Sequence, residues 1–209
     1  MSLHRGKSST ELPSHYTLSD NNYDYRFDHH PDTPDMAFMC TITSKNSEIE
    51  IAPPLSPEMI QKLKSVTSIS LESTFRKHRN LKNIWDFCEC LFNHDLTRIV
   101  NTSLMFQDCS SLTDLRPLSL LSTDYLIDSS LMFSWCFRIK DLQPISSWNM
   151  AHVRNIHGMF LNCTSLHDIS PLSFWNASRV KNGGYVFTNC DITYGKELIP
   201  LIDPTNGQT

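Results

Sequence analysis

The chain has 209 residues, a formal net charge of −4, 40% hydrophobic and 19% charged residues; its size fits one domain or one domain with an appendage, and its mild acidity argues against the basic footprint of a nucleic-acid or anionic-membrane binder. No apolar run approaches the roughly 18 residues of a membrane span, and the opening MSLHRGKSSTELPSHY lacks the apolar stretch of a secretory signal, from which a cytoplasmic location is expected, with the cell surface, or secretion by a route without a cleaved signal, as the alternative. Seven cysteines, an odd count without a C-x-x-C pair, fit reduced thiols.

Residues 1–35 are polar, rich in Ser, Asp, His and Pro, and read as a disordered tail. AFMCTIT and EIEIA alternate around SKNS, which predicts a hairpin. SPEMIQKLKSV predicts a helix with Ser56 as N-cap and Pro57 at its first position, and with Met59, Ile60, Leu63 and Val66 on one face. Hairpin and helix, residues 36–66, are expected to cap the region 67–202 by covering its first apolar layer and strand edge.

Residues 67–202 repeat. Met105, Met132 and Met159 are 27 apart, as are Phe106, Phe133, Phe160 and Phe187, and Cys109, Cys136, Cys163 and Cys190. Leu112, Ile139 and Leu166, then Leu115, Leu142 and Ile169, then Pro117, Pro144 and Pro171 keep the interval, and Leu121, Trp148 and Trp175 close each unit. TFRKHRNLKNI fits as an atypical first unit, with Phe75 in the phenylalanine column and His78 in the cysteine column. At the far end Leu198, Pro200 and Leu201 align with Ile169, Pro171 and Leu172 after a two-residue insertion near Gly195. A unit this short cannot bury its own apolar face, whereas stacked units can. The expected fold is therefore a solenoid of about five coils, α/β or mainly β. Short parallel strands at 112–118, 139–145 and 166–172 should stack every 27 residues, and residues 203–209 should trail as a tail.

Each chemically suggestive cluster has a structural reading beside it. The cysteines recur with the fold, whereas a nucleophile is needed once, so they read as small buried packing residues. Asp114, Asp141 and Asp168 form a carboxylate column that either accepts backbone N–H groups at a turn, binds a cation, or contacts a partner. Cys88, Cys90, His94 and Asp95 crowd DFCECLFNHD without recognised zinc spacing. DHHPDTPD gathers His29, His30 and three aspartates in the tail. Cys163, His167 and Asp168 suggest a triad only until His167 is compared with Thr113 and Lys140 at the equivalent places.

The unit V-x-x-M-x-x-M-F-x-x-C-x-x-L-x-x-L with a following Trp-Asn pair, seen here as VRNIHGMFLNCTSLHDISPLSFWN at 153–176, resembles the BspA-like leucine-rich repeat family and its mycoplasma-type relatives, over roughly residues 66–202. The resemblance implies a curved or nearly flat leucine-rich-repeat solenoid used for binding, often in a surface protein. From the residues themselves, the expected function is a non-catalytic protein-interaction module without a cofactor. Its partner-binding residues would be the variable exposed columns Thr113, Lys140 and His167, and Arg116, Gln143 and Ser170. The competing reading is a thiol- or metal-dependent enzyme with its site in the N-terminal cap or the 85–100 insertion.

Overall fold

The structure, a computed structural model, describes residues 15–30 and 33–202, with the side chains of 29–38 outside that description; the expected tail at 203–209 also lies outside it. Strands β1 (His15–Ser19), β2 (Tyr23–His30) and β3 (Thr33–Ser44) form an antiparallel meander, and β4 (Ser68–Ser70) and β5 (Ile99–Asn101) continue the sheet parallel to β3, in the order β1-β2-β3-β4-β5.

This corrects two expectations. The stretch 15–30 is sheet rather than disordered tail, because YDYRF alternates and places Tyr23, Tyr25 and Phe27 in the core. Asp20 builds the preceding turn by accepting the N–H groups of Asn22 and Tyr23, both at 2.8 Å. The hairpin partner of β3 is accordingly β2, and the 48–52 segment supplies only a parallel bridge from Ile51 to Asn83. Helix α1 (Pro57–Leu63) forms as read: Ser56 Oγ accepts the Met59 N–H at 3.4 Å, and Met59, Ile60 and Leu63 are buried.

Beyond β5, single parallel bridges run Asn101 to Asp128, Asp128 to Asn155, and Asn155 to Asn182. The neighbouring backbone carries a denser ladder. Leu71, Ser73, Phe75 and Lys77 donate to the carbonyls of Asn101, Ser103, Met105 and Gln107, and Thr102, Leu104, Phe106 and Asp108 to those of Asp128, Ser130, Met132 and Ser134. The pattern recurs from Ser129 and from Ile156. Intervening N–H groups fold back by three residues, as Met105 to Thr102 and Cys109 to Phe106. Alternation between outward and local bonds requires a left-handed residue at fixed intervals. Ser73, Leu104, Leu131, Gly158 and Tyr185, and Lys77, Asp108, Trp135, Asn162 and Asn189, all have φ between +55° and +66°.

Inter-unit pairing therefore sits mainly on the Met-Phe-x-x-Cys side, with one further parallel bridge, Asp168 to Tyr194, within the 166–172 segment. The segments expected to be strands are 3-10 turns instead, at Arg116–Leu120, Gln143–Ile145 and Ser170–Phe174. Proline explains the switch: Pro117, Pro144 and Pro171 lack an N–H and fix φ near −65° at the second residue of each turn. Asp114, Asp141 and Asp168 each accept the N–H two residues on, at 3.0, 2.8 and 2.8 Å. The carboxylate column is thus a set of turn-forming acceptors. In the longer first unit the corresponding place is taken by helix α2 (Trp85–Asn93), which packs on the first 3-10 turn.

The core is a set of stacked columns. Phe75, Phe106, Phe133, Phe160 and Phe187 lie nearly parallel, with successive centroids 5.7, 5.8, 5.4 and 5.6 Å apart. Each column cysteine donates its S–H to the phenylalanine carbonyl one unit back: Cys109 to Phe75, Cys136 to Phe106, Cys163 to Phe133 and Cys190 to Phe160, at 3.0–3.1 Å. Trp148 and Trp175 donate their indole N–H groups to the carbonyls of Leu118 and Ile145. At the C-terminal end Gly195, at φ +80°, lies so close to the preceding turn that a Cβ would sit 2.6 Å from the Ser170 nitrogen. The chain then forms α3 (Ile199–Ile202), which buries Ile202 and leaves Leu201 70% exposed, so the equivalence expected between Leu201 and Leu172 fails.

Candidate binding groove

Stacking fixes what each unit shows to solvent. Thr113, Lys140, His167, Arg116, Gln143 and Ser170 are all exposed. Arg116 and Gln143 line one depression of about 300 Å³ with Ser119, Asp141 and Pro144. Arg116 is already engaged: its Nε and Nη2 grip Asp114 at 2.9 and 2.8 Å, and this pairing holds the Asp114 carboxyl below its ordinary pKa. His167 turns its Nδ1 to the carbonyl of Asp191 at 2.8 Å. The six residues share a face but do not converge on one cavity.

A roomier groove of about 610 Å³ crosses the first three units. The first contributes Lys77 and Arg79, the second Gln107, Asp108 and Ser110, and the third Trp135 and Phe137. Trp135 is 46% exposed and meets Phe137 edge to face, with centroids 5.7 Å apart. Arg79 closes on Asp108 through Nε and Nη2 at 3.0 and 2.7 Å, and Arg76 donates to Gln107 Oε1 at 2.7 Å. None of these residues belongs to the variable columns near the prolines, where binding residues were expected. The signal lies within the repeated phrase itself: Asp108, Asn162 and Asn189 share a column with Trp135, and Ser110 and Thr164 share one with Phe137.

The clusters with catalytic or metal potential are taken apart by the fold. Cys163 is buried against Phe133, while His167 faces Asp191, so no triad forms. Burial pushes the thiols of Cys40 and Cys109 up to about 12 and raises those of Cys88, Cys90, Cys136 and Cys163, which keeps them from being thiolate nucleophiles at neutral pH. Cys190 alone moves down among them, through its contact with the neighbouring Cys163 thiol. Cys90 and His94 border a cap depression of about 380 Å³ with Asp86 and Glu89. Among the described residues no group of three or more His, Cys, Asp and Glu side chains is placed to hold a metal. The side chains of His29 and His30 lie outside the described residues. No helix among the described residues is long and apolar enough to cross a membrane.

No curated protein and no solved structure matches the chain. The family described as "Mycoplasma protein of unknown function, DUF285" matches residues 69–196, which run from β4 to the last 3-10 turn and take in every stacked unit and the whole of the groove. With more than half of its length matched, the chain belongs to the DUF285 family.

Proposed function

We propose that this protein is a non-catalytic protein-binding module on a leucine-rich-repeat-like solenoid of the BspA type, presented at the cell surface. One contrast carries the reading. The columns that stack inside are nearly fixed: Phe75, Phe106, Phe133, Phe160 and Phe187 never vary, and four of the five units set a cysteine beside them, with His78 in the first. The exposed columns between them carry Thr, Lys and His, or Arg, Gln and Ser. An interior penalises such changes of volume and charge, whereas a surface tolerates them and a partner reads them. The bidentate Arg116–Asp114 pair presents a planar guanidinium face already ordered for contact.

The test is an unbiased interaction screen with the full chain as bait, followed by the double substitution Arg116→Ala and Lys140→Ala. The expected result is weaker partner binding with an unchanged melting curve. Retained binding in that double variant, lost instead with Arg154→Ala beside the Asn155 bridge, would reverse the face. A screen that returns no protein would remove the module reading altogether. Protease treatment of intact cells tests the location: a surface protein is cleaved, and an internal one is spared.

A further inference from the structure

We propose that the groove formed by Lys77, Arg79, Gln107, Asp108, Trp135 and Phe137 is the seat of an acidic peptide segment of a protein partner, with an apolar side chain of that segment lying against Trp135 and Phe137. The inference rests on the binding-module reading and names its hot spot and the chemistry of its partner.

A periodic chain supplies its own control. The column 77, 108, 135, 162, 189 is left-handed throughout, with φ between +60° and +66°. Asx residues enter that region most readily among non-glycine residues, and three of the five positions obey: Asp108, Asn162 and Asn189. The two exceptions are Lys77 and Trp135, and both line this groove. Two residues further along, Ser110, Thr164 and Asp191 are small and polar, and the exceptions are Arg79 and Phe137, both again in the groove. The fold requires none of the side chains of Lys77, Trp135 and Phe137. An exposed indole on a strained backbone opposes stability, so its place is explained by what it contacts.

The polar inventory decides the ligand. Asp108 is the one carboxylate among the lining residues, and Arg79 occupies it. Arg76 occupies the Gln107 carbonyl oxygen. Among the described residues, no side-chain partner takes the Lys77 ammonium, the Gln107 amide N–H groups or the Trp135 indole N–H. The groove therefore holds a surplus of donors beside an apolar pair, and its ligand must bring acceptors and an apolar group. A neutral sugar brings no charge to answer the Lys77 ammonium. Among the lining residues a nucleic acid meets a single unpaired cation, Lys77, on a protein of net charge −4, too little for phosphate binding. Carboxylates alternating with apolar side chains match both features, and the volume suits a few side chains.

The experiment measures fluorescence anisotropy of labelled peptides with the full chain. One peptide alternates glutamate with phenylalanine; two others replace glutamate by glutamine or by lysine; a heparin fragment is the competing polyanion. The key variant, Trp135→Asn with Phe137→Thr, rewrites the third unit in the wording of the fourth, so it should fold at least as well, as its melting curve will show. The acidic peptide should bind, weaken with salt, and lose at least tenfold affinity in this variant and in Lys77→Glu, while Arg179→Ala, an exposed cation outside the groove, leaves it unchanged. Equal binding of the glutamine peptide, a polyanion preference for heparin alone, or full affinity in the rewritten unit would overturn the assignment. A screened protein partner held undiminished by the rewritten chain, with no peptide bound, sinks the groove and leaves the module standing. A chain that holds no protein in any form overturns both.

Discussion

Removing one ring from the phenylalanine stack tests the core directly. Phe133 is fully buried, with Phe106 on one face at 5.8 Å and Phe160 on the other at 5.4 Å, tilted by 10° and 8°. Truncation to alanine forfeits the burial of on the order of 150 Å² of phenyl surface, about 4 kcal/mol at about 25 cal/mol/Å². The two ring faces add about 1 kcal/mol, and partial collapse of the cavity recovers some of the loss, which places the net cost at about 3–5 kcal/mol. Phe187 is the internal comparison: among the described residues it stacks on Phe160 alone, at 5.6 Å, and ends the column. Phe187→Ala should therefore cost about 1–2 kcal/mol less than Phe133→Ala. Urea unfolding followed by far-UV circular dichroism under reducing conditions reads both, and a preserved slope shows that the units still unfold together. A loss below about 1 kcal/mol for Phe133→Ala, or equal losses at the two sites, would refute the stack as the main source of stability.

Trp148→Phe removes the indole bond to the Leu118 carbonyl at 3.1 Å, leaves that buried acceptor unpaired, and should cost about 1–2 kcal/mol in the same urea assay. Asp141→Ala deletes the acceptor for the Gln143 N–H and should cost about 1 kcal/mol, the range of a lost cap. Ser134→Ala should stabilise by about 1 kcal/mol, because the Ser134 hydroxyl is buried without a partner among the described residues. His78 supplies a pH test. Its Nδ1 donates to the Arg76 carbonyl and its Nε2 accepts from Ser44 Oγ, and burial lowers its pKa from 6.5. The unfolded chain then binds more protons in mildly acidic solution, so stability is full above about pH 6.5 and declines as pH falls through the lowered folded value. Denaturant midpoints from pH 7.5 to pH 5 should show that decline in the wild type and not in His78→Gln.

The periodic part of this fold was legible because each column is set by one physical demand. A residue that recurs every 27 positions and is apolar each time has to be inside, and Phe133, Cys136 and Leu142 are. Helix α1 was legible through Ser56 and Pro57, which announce a helix start by their own chemistry. The conformation of the Leu-x-x-Leu segments was misread because burial spacing does not distinguish a short strand from a 3-10 turn. Pro117, Pro144 and Pro171 held the answer, since a central strand has no place for a residue without an N–H. The N-terminal strands were missed for the opposite reason: Tyr23, Tyr25 and Phe27 alternate with Asp24 and Arg26, and the surrounding polarity hid the period.

Binding residues posed a different problem. Variation between units marks where solvent lies, and Thr113, Lys140 and His167 are exposed on that ground. Exposure alone does not gather them, and the structure leaves them spread along the stack, with Arg116 satisfied by Asp114. What separates the Trp135 groove is the direction of the departure. Replacing Asp or Asn by Trp, and Ser or Thr by Phe, moves each position away from what its backbone and solvent favour. Ordinary drift at an exposed site has no reason to make two such changes within three residues and to set them against Lys77, the other residue that breaks the same column. A departure that costs stability and clusters in space is the form a binding site takes in a repeat protein, because the fold has already fixed everything it needs in the columns that do not change.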